Sequence, residues 1–136
     1  MVAFAATGDD RGVVKAPLIS VVDDDDSVRE SLRGLLRSVR LGVEVFASAE
    51  EFLRSNRTNE TDCLILDVRM AGIGGLELQR HLVYSHPEIP VIFVTAHGDE
   101  ELRSRALKCG AVDFLFKPFS EEALLSAVHR ALTPKG

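Results

Sequence analysis

Five polar residues of this chain stand at the ends of short apolar runs. The pair Asp23-Asp24 follows Leu18-Ile19-Ser20-Val21-Val22, and Asp67 follows Leu64-Ile65-Leu66. Thr95 follows Val91-Ile92-Phe93-Val94, and Lys117 follows Phe114-Leu115-Phe116. Carboxylate oxygens suit a hard cation such as Mg²⁺, which keeps several waters and takes one or two carboxylates plus a phosphate. An ammonium and a hydroxyl suit the oxygens of a phosphoryl group in transfer. A carboxylate can also be the nucleophile, forming an aspartyl-phosphate. The set is coherent with Asp67 as acceptor and Mg²⁺ among Asp23, Asp24 and Asp67. Lys117 and Thr95 would then meet two phosphoryl oxygens. The small Ala96, next to Thr95, would leave room for the group.

Each residue also has an ordinary reading. Asp after a strand is a turn former or helix cap, Thr is a β-former, and Lys before Pro118 sits at a surface. The run Asp23-Asp24-Asp25-Asp26 poses the choice most sharply. Like charges about 4 Å apart cost roughly 4 kcal/mol at an effective dielectric near 20. Such a run either awaits a cation or is a solvated loop that caps the next helix. What separates the readings is whether the fold brings all five residues to one place.

The elements that must do so are legible as alternating patterns. Strands are expected at Leu18–Val22, Val43–Phe46, Asp62–Leu66, Pro90–Val94 and Val112–Phe116. The first helix carries Val28, Leu32, Leu35, Leu36 and Val39 on one face, with Ser27 and Glu30 spaced as a capping box. The second follows Ser48 and buries Phe52 and Leu53. The third runs from about Gly75 to Tyr84. The fourth, the most polar, spans about Asp99 to Lys108 and stops at Gly110. The fifth follows Ser120, has Glu121 and Glu122 in its first turn, and buries Leu124, Ala127, Val128, Ala131 and Leu132. Five βα units with short connections predict a doubly wound five-stranded parallel sheet, order 2-1-3-4-5, flavodoxin-like. In that α/β fold ligands bind beyond the carboxyl ends of the strands where the order reverses, here between strands 1 and 3. All five residues converge on that edge.

Bulk properties narrow the functions. A chain of 136 residues fits one domain with a real core. Residues 18–133 are expected to form it, between a flexible tail at 1–17 and a tail or linker start at 134–136. Net charge is −5, which disfavours direct nucleic-acid binding because phosphate contacts need a basic face. No apolar run reaches membrane-spanning length, and the first residues lack a signal peptide's basic flank. Cys63 and Cys109 have no motif spacing and read as reduced, buried thiols of a cytoplasmic protein.

The chain resembles the response-regulator receiver domains of two-component signalling over about residues 17–133. The resemblance rests on Val21-Val22-Asp23-Asp24, Leu64-Ile65-Leu66-Asp67-Val68-Arg69-Met70, Val94-Thr95-Ala96 and Phe116-Lys117-Pro118-Phe119. The spacings agree: 43 residues from Asp24 to Asp67, 28 to Thr95 and 22 to Lys117. Val28-Arg29-Glu30-Ser31-Leu32, Phe46-Ala47-Ser48-Ala49, Thr95-Ala96-His97-Gly98-Asp99 and Gly110-Ala111-Val112-Asp113-Phe114 are most similar to the FixJ-type (LuxR-output) subfamily. The resemblance implies that Asp67 accepts a phosphoryl group from a sensor histidine kinase or phosphotransfer protein. It implies Mg²⁺ on Asp24, Asp67 and the Arg69 backbone carbonyl, with Asp23 acting through water. Thr95 and Phe114 match a switch pair in which the aromatic ring moves inward, and Lys117–Pro118 matches a cis peptide. The implied output face is helix 4, strand 5 and helix 5, with Ala123, Leu125 and Ala127 available for a phosphorylation-dependent homodimer. FixJ-type receivers are normally followed by a DNA-binding domain, so the chain reads as a stand-alone receiver or a piece of a transcription regulator.

Three departures and rivals bear on this. The family usually has Met-Pro-Gly after the acceptor; here it is Met70-Ala71-Gly72, and losing Pro frees the loop because Pro fixes φ. His97 and Arg69 fall near the pocket rim and could tune water access, whereas His81, His86 and His129 read as surface residues. An aspartyl-phosphate hydrolase would need an acid–base Asp two residues after the nucleophile, where Arg69 stands. A flavodoxin-like cofactor binder would need a Gly/Ser/Thr phosphate loop where this chain has four acids. No P-loop or dinucleotide fingerprint is present. The chain is therefore expected to be a signalling phosphoacceptor with Mg²⁺-dependent self-phosphorylation and self-dephosphorylation, not an enzyme with a separate substrate.

Overall fold

The computed structural model describes residues 16–96 and 98–133; residues 1–15 of the tail expected at 1–17, the tail expected at 134–136, and His97 lie outside them. The elements in chain order are β1 (Leu18–Val22), α1 (Asp26–Ser38), β2 (Gly42–Phe46), α2 (Ala49–Arg54) and β3 (Cys63–Leu66). Then come α3 (Gly75–Ser85), β4 (Val91–Thr95), α4 (Glu100–Lys108), β5 (Asp113–Phe116) and α5 (Glu121–Leu132). One short 3-10 turn, Thr58–Glu60, was not foreseen; at three residues it is too brief to show a period.

All strand pairs are parallel, in the order β2-β1-β3-β4-β5, as expected. Val22 pairs with Leu66, and Leu66 with Phe93. This register sets the strand ends level, so the residues that follow them emerge side by side. The Asp67 N–H donates to the Val22 carbonyl (3.0 Å), and the Lys117 N–H to that of Thr95 (2.9 Å).

The two faces of the sheet bury separate cores. Leu64, Leu66, Phe93 and Phe114 pack with Phe52, Leu78 and Ala106. Cys63, Ile65, Ile92 and Val94 pack with Leu32, Leu36, Leu124 and Val128. Strands covered on both faces need apolar residues at every position, which is why β3 and β4 read as unbroken apolar runs.

Some local expectations change. The α1 cap is Asp25, not Ser27: its Oδ1 accepts from the N–H of Ser27 (2.8 Å) and of Val28 (3.4 Å). A carboxylate one residue before the helix answers both orphan donors, so no hydroxyl is needed. Ser48 and Ser120 do cap α2 and α5. Ala127 is fully buried against the sheet and offers nothing to a dimer face; Ala123 and Leu125 are half-buried. Phe116, on the edge strand β5, is the exposed aromatic there.

The cysteines also separate. Cys63 is buried in β3, while Cys109 caps the C-terminal end of α4 and is exposed. Burial, with a smaller contribution from the Asp62 charge, pushes the Cys63 thiol up to about 12; the thiolate is the reactive form. Alkylation of the native protein is therefore expected to modify Cys109 alone, and alkylation in denaturant both thiols, as read by peptide mass. Equal native labelling of Cys63 would show that β3 opens readily.

Candidate functional site

The site grows from four strand ends. Asp23 and Asp24 follow β1, Asp67 follows β3, Thr95 closes β4, and Lys117 follows β5. β1 and β3 are neighbours although β2 intervenes in sequence, so the acids meet where strand order reverses. One ligating oxygen from each of Asp23, Asp24 and Asp67 lies within 4.8 Å of the others.

Lys117 ties the two inner acids together. Its Nζ donates to Asp23 Oδ2 at 2.8 Å and to Asp67 Oδ2 at 3.2 Å. The Asp23 side chain is fully buried; those of Asp67 and Lys117 are 7% and 16% exposed, and Asp24 is exposed. Asp23 Oδ1 accepts from the Asp25 N–H (2.9 Å), and Asp67 Oδ1 from that of Arg69 (3.3 Å). The cluster is thus closed on the Asp23 side and open at Asp24.

Burial raises the Asp23 pKa, and the nearby Asp67 charge adds to this. Hydrogen bonds from Lys117 and the Asp25 N–H pull the other way without cancelling it. Burial alone would lower Lys117, but its hydrogen bond to Asp23 and the charges of Asp23 and Asp67 outweigh that and raise it. The Lys117 shift reflects two carboxylates sharing one ammonium, whereas the Asp23 shift reflects its burial. Three carboxylates against one ammonium leave an excess of negative charge and an all-oxygen donor set, which fits a hard divalent cation.

Thr95 is fully buried at the end of β4. The Phe114 ring already lies inside, 2% exposed, 5.7 Å from the Phe93 ring and 5.4 Å from that of Phe116. Gly98 keeps it there: an added Cβ would stand 2.7 Å from Phe114 Cε1 and 2.8 Å from Thr95 Cγ2. Gly75 does a similar service behind Asp67, since a Cβ there would collide with the Asp67 carbonyl. The Lys117–Pro118 peptide is cis. Asp25 caps α1 and Asp26 opens it, so the second half of the aspartate run serves the helix start.

Sequence reading missed two residues at the site's edge. Arg29 Nη1 donates to the Asp23 carbonyl (2.5 Å), and its other amine pairs with Asp26. A cation three residues after an acid on a helix was the available signal. Glu50 reaches from α2 to the loop after β3, where its Oε2 accepts from the Ile73 N–H at 3.1 Å. Nothing in the sequence pairs positions 23 residues apart. Arg69 is exposed in that loop, and no described helix is long and apolar enough to cross a membrane.

Residues 19–129 match the family described as response regulator receiver domain. Response regulator protein TodT of Pseudomonas putida is 48% identical over 118 residues, covering 87% of this chain and 52% of TodT. The solved response regulator StyR is 50% identical with a TM-score of 0.79, covering 86% of this chain and 59% of that one. The structure of FixJ-N is 36% identical with a TM-score of 0.76, covering 87% of this chain and 94% of that one. The chain spans about half the length of the full-length relatives it matches.

Proposed function

This chain belongs to the family of response regulator receiver domains, and on that premise we propose that Asp67 accepts a phosphoryl group from a phosphohistidine. The donor is a sensor histidine kinase or a phosphotransfer protein. The observation that carries the reading is the Lys117 ammonium shared between Asp23 and Asp67, beside an oxygen cluster open at Asp24. One Asp67 carboxylate oxygen forms the new bond to phosphorus. The N–P bond of the donor breaks, and its electron pair returns to the imidazole nitrogen, which takes a proton. Lys117 keeps Asp23 and exchanges Asp67 for a phosphoryl oxygen, and the Thr95 hydroxyl donates to another. Asp23, Asp24, Asp67 and the Arg69 backbone carbonyl would hold Mg²⁺, which supplies positive charge to the phosphoryl oxygens.

The buried Phe114 ring is the aromatic partner of Thr95 and would follow its movement. The response would leave through α4, β5 and α5, where Phe116 is exposed, toward a second copy or a transcriptional output in the cytoplasm. Return to the resting state is hydrolysis of the aspartyl-phosphate. A dedicated hydrolase is disfavoured because Arg69 stands where its acid–base Asp would be needed.

Incubation with acetyl phosphate and Mg²⁺ tests this. The expected result is a mass gain of one phosphoryl group, absent when a chelator is present. No incorporation, or incorporation that ignores the chelator, would refute the reading.

A further inference from the structure

The segment Arg69-Met70-Ala71-Gly72-Ile73-Gly74 joins Asp67 and Val68 to α3. Its composition does little to hold it: it has no proline and two glycines, so its backbone freedom is high. Yet it carries the Arg69 carbonyl and the Arg69 N–H that meets Asp67. Something outside the segment has to fix it.

Glu50 is in the place to do so. From the first turn of α2, Glu50 sends its carboxylate across to the segment, where Oε2 accepts from the Ile73 N–H at 3.1 Å. The approach is close: a Cβ added at Gly72, whose φ of +79 already favours glycine, would fall on the Glu50 carboxylate. Its other oxygen, Oε1, is buried without a well-formed hydrogen bond. One carboxylate oxygen is therefore held by the loop backbone and the other is out of water, on a half-buried residue. Its own backbone N–H and that of Ile73 hold its pKa below the usual carboxylate range.

We propose that Glu50 is a positioning residue for the acidic site: its carboxylate latches the Ile73 N–H and so presents the Arg69 carbonyl to the cation. This rests on the proposed function, since it takes that carbonyl as a metal ligand. Groups that orient a metal's ligands through hydrogen bonds typically change affinity about 10–100-fold when removed. The role is that of an acceptor, not of a charge, because the contact is to one backbone N–H.

The test uses the full chain and two readouts, Mg²⁺ affinity by calorimetry and exchange of the Ile73 amide by NMR. Glu50→Ala is expected to lose Ile73 protection and to bind Mg²⁺ about tenfold more weakly, with Thr95 and the α5 amides unchanged. Glu50→Gln keeps an acceptor oxygen and is expected to restore both readouts nearly to the parent. Loss of Ile73 protection with parental Mg²⁺ affinity would overturn the proposal, leaving Glu50 a loop contact only. Glu50→Gln as weak as Glu50→Ala would also overturn it, making charge the cause. A parent chain that binds no Mg²⁺ would overturn the functional reading and the latch together, and that outcome shows in the parent alone.

Discussion

Asp67→Asn is expected to take up no phosphoryl group from acetyl phosphate in the presence of Mg²⁺, where the parent takes up one. The reasons are local. A carboxamide oxygen is not the nucleophile that an ionised carboxylate is, and the cluster loses one of its three negative charges. The loss is not a folding defect. Asn has the shape of Asp, and its one carbonyl oxygen can keep one of the two contacts that now reach separate Asp67 oxygens, Lys117 Nζ on Oδ2 at 3.2 Å and the Arg69 N–H on Oδ1 at 3.3 Å. The ion pair with Lys117 weakens, but the repulsion between Asp67 and the buried Asp23 is relieved. These oppose one another, so stability should stay within about 1 kcal/mol of the parent. Peptide mass mapping with a thermal unfolding curve checks both halves. A phosphoryl group found on the variant at parental stoichiometry would move the acceptor elsewhere.

Lys117→Ala should have the larger effect on stability. Its ammonium is the side-chain partner of the Asp23 carboxylate, which is fully buried. Breaking a buried pair by removing one partner costs about 3–5 kcal/mol, and the lower part of that range applies because Asp23, its pKa already raised by burial, can take up a proton. The sign with pH follows. In the variant the folded pKa of Asp23 lies above its unfolded value. Stability is then greatest at low pH and is lost as pH rises through the folded pKa, so the deficit against the parent narrows on acidification. Mg²⁺ should oppose the defect, since a cation bound to the folded cluster stabilises it by mass action. The rise in melting temperature on adding Mg²⁺ is expected to be larger in Lys117→Ala than in the parent. Equal rises at equal stability would mean that the ammonium does not neutralise the cluster.

The sequence determined the parts that depend on short-range rules. Short unbroken apolar runs such as Leu64-Ile65-Leu66, bounded by polar residues, suit a strand covered on both faces, and alternation with helical periods leaves few ways to order five parallel strands. That order alone carries Asp23, Asp24, Asp67, Thr95 and Lys117 to one sheet edge, because each directly follows or closes a strand. The tertiary structure decided whatever depends on distance between remote segments or on which side of a helix meets the sheet. It chose Asp25 over Ser27 as the cap by where the chain leaves β1. It left Cys109 outside, though in sequence it read as a buried thiol. It joined Glu50 to Ile73 and gave the Phe114 ring its inward place beside Gly98. Above all, it placed one ammonium between two carboxylates that lie 94 and 50 residues from it. Periodicity records which face of its own element a residue occupies. It holds no record of charges brought together from separate strands, and those charges set the protonation and cation preference of this site.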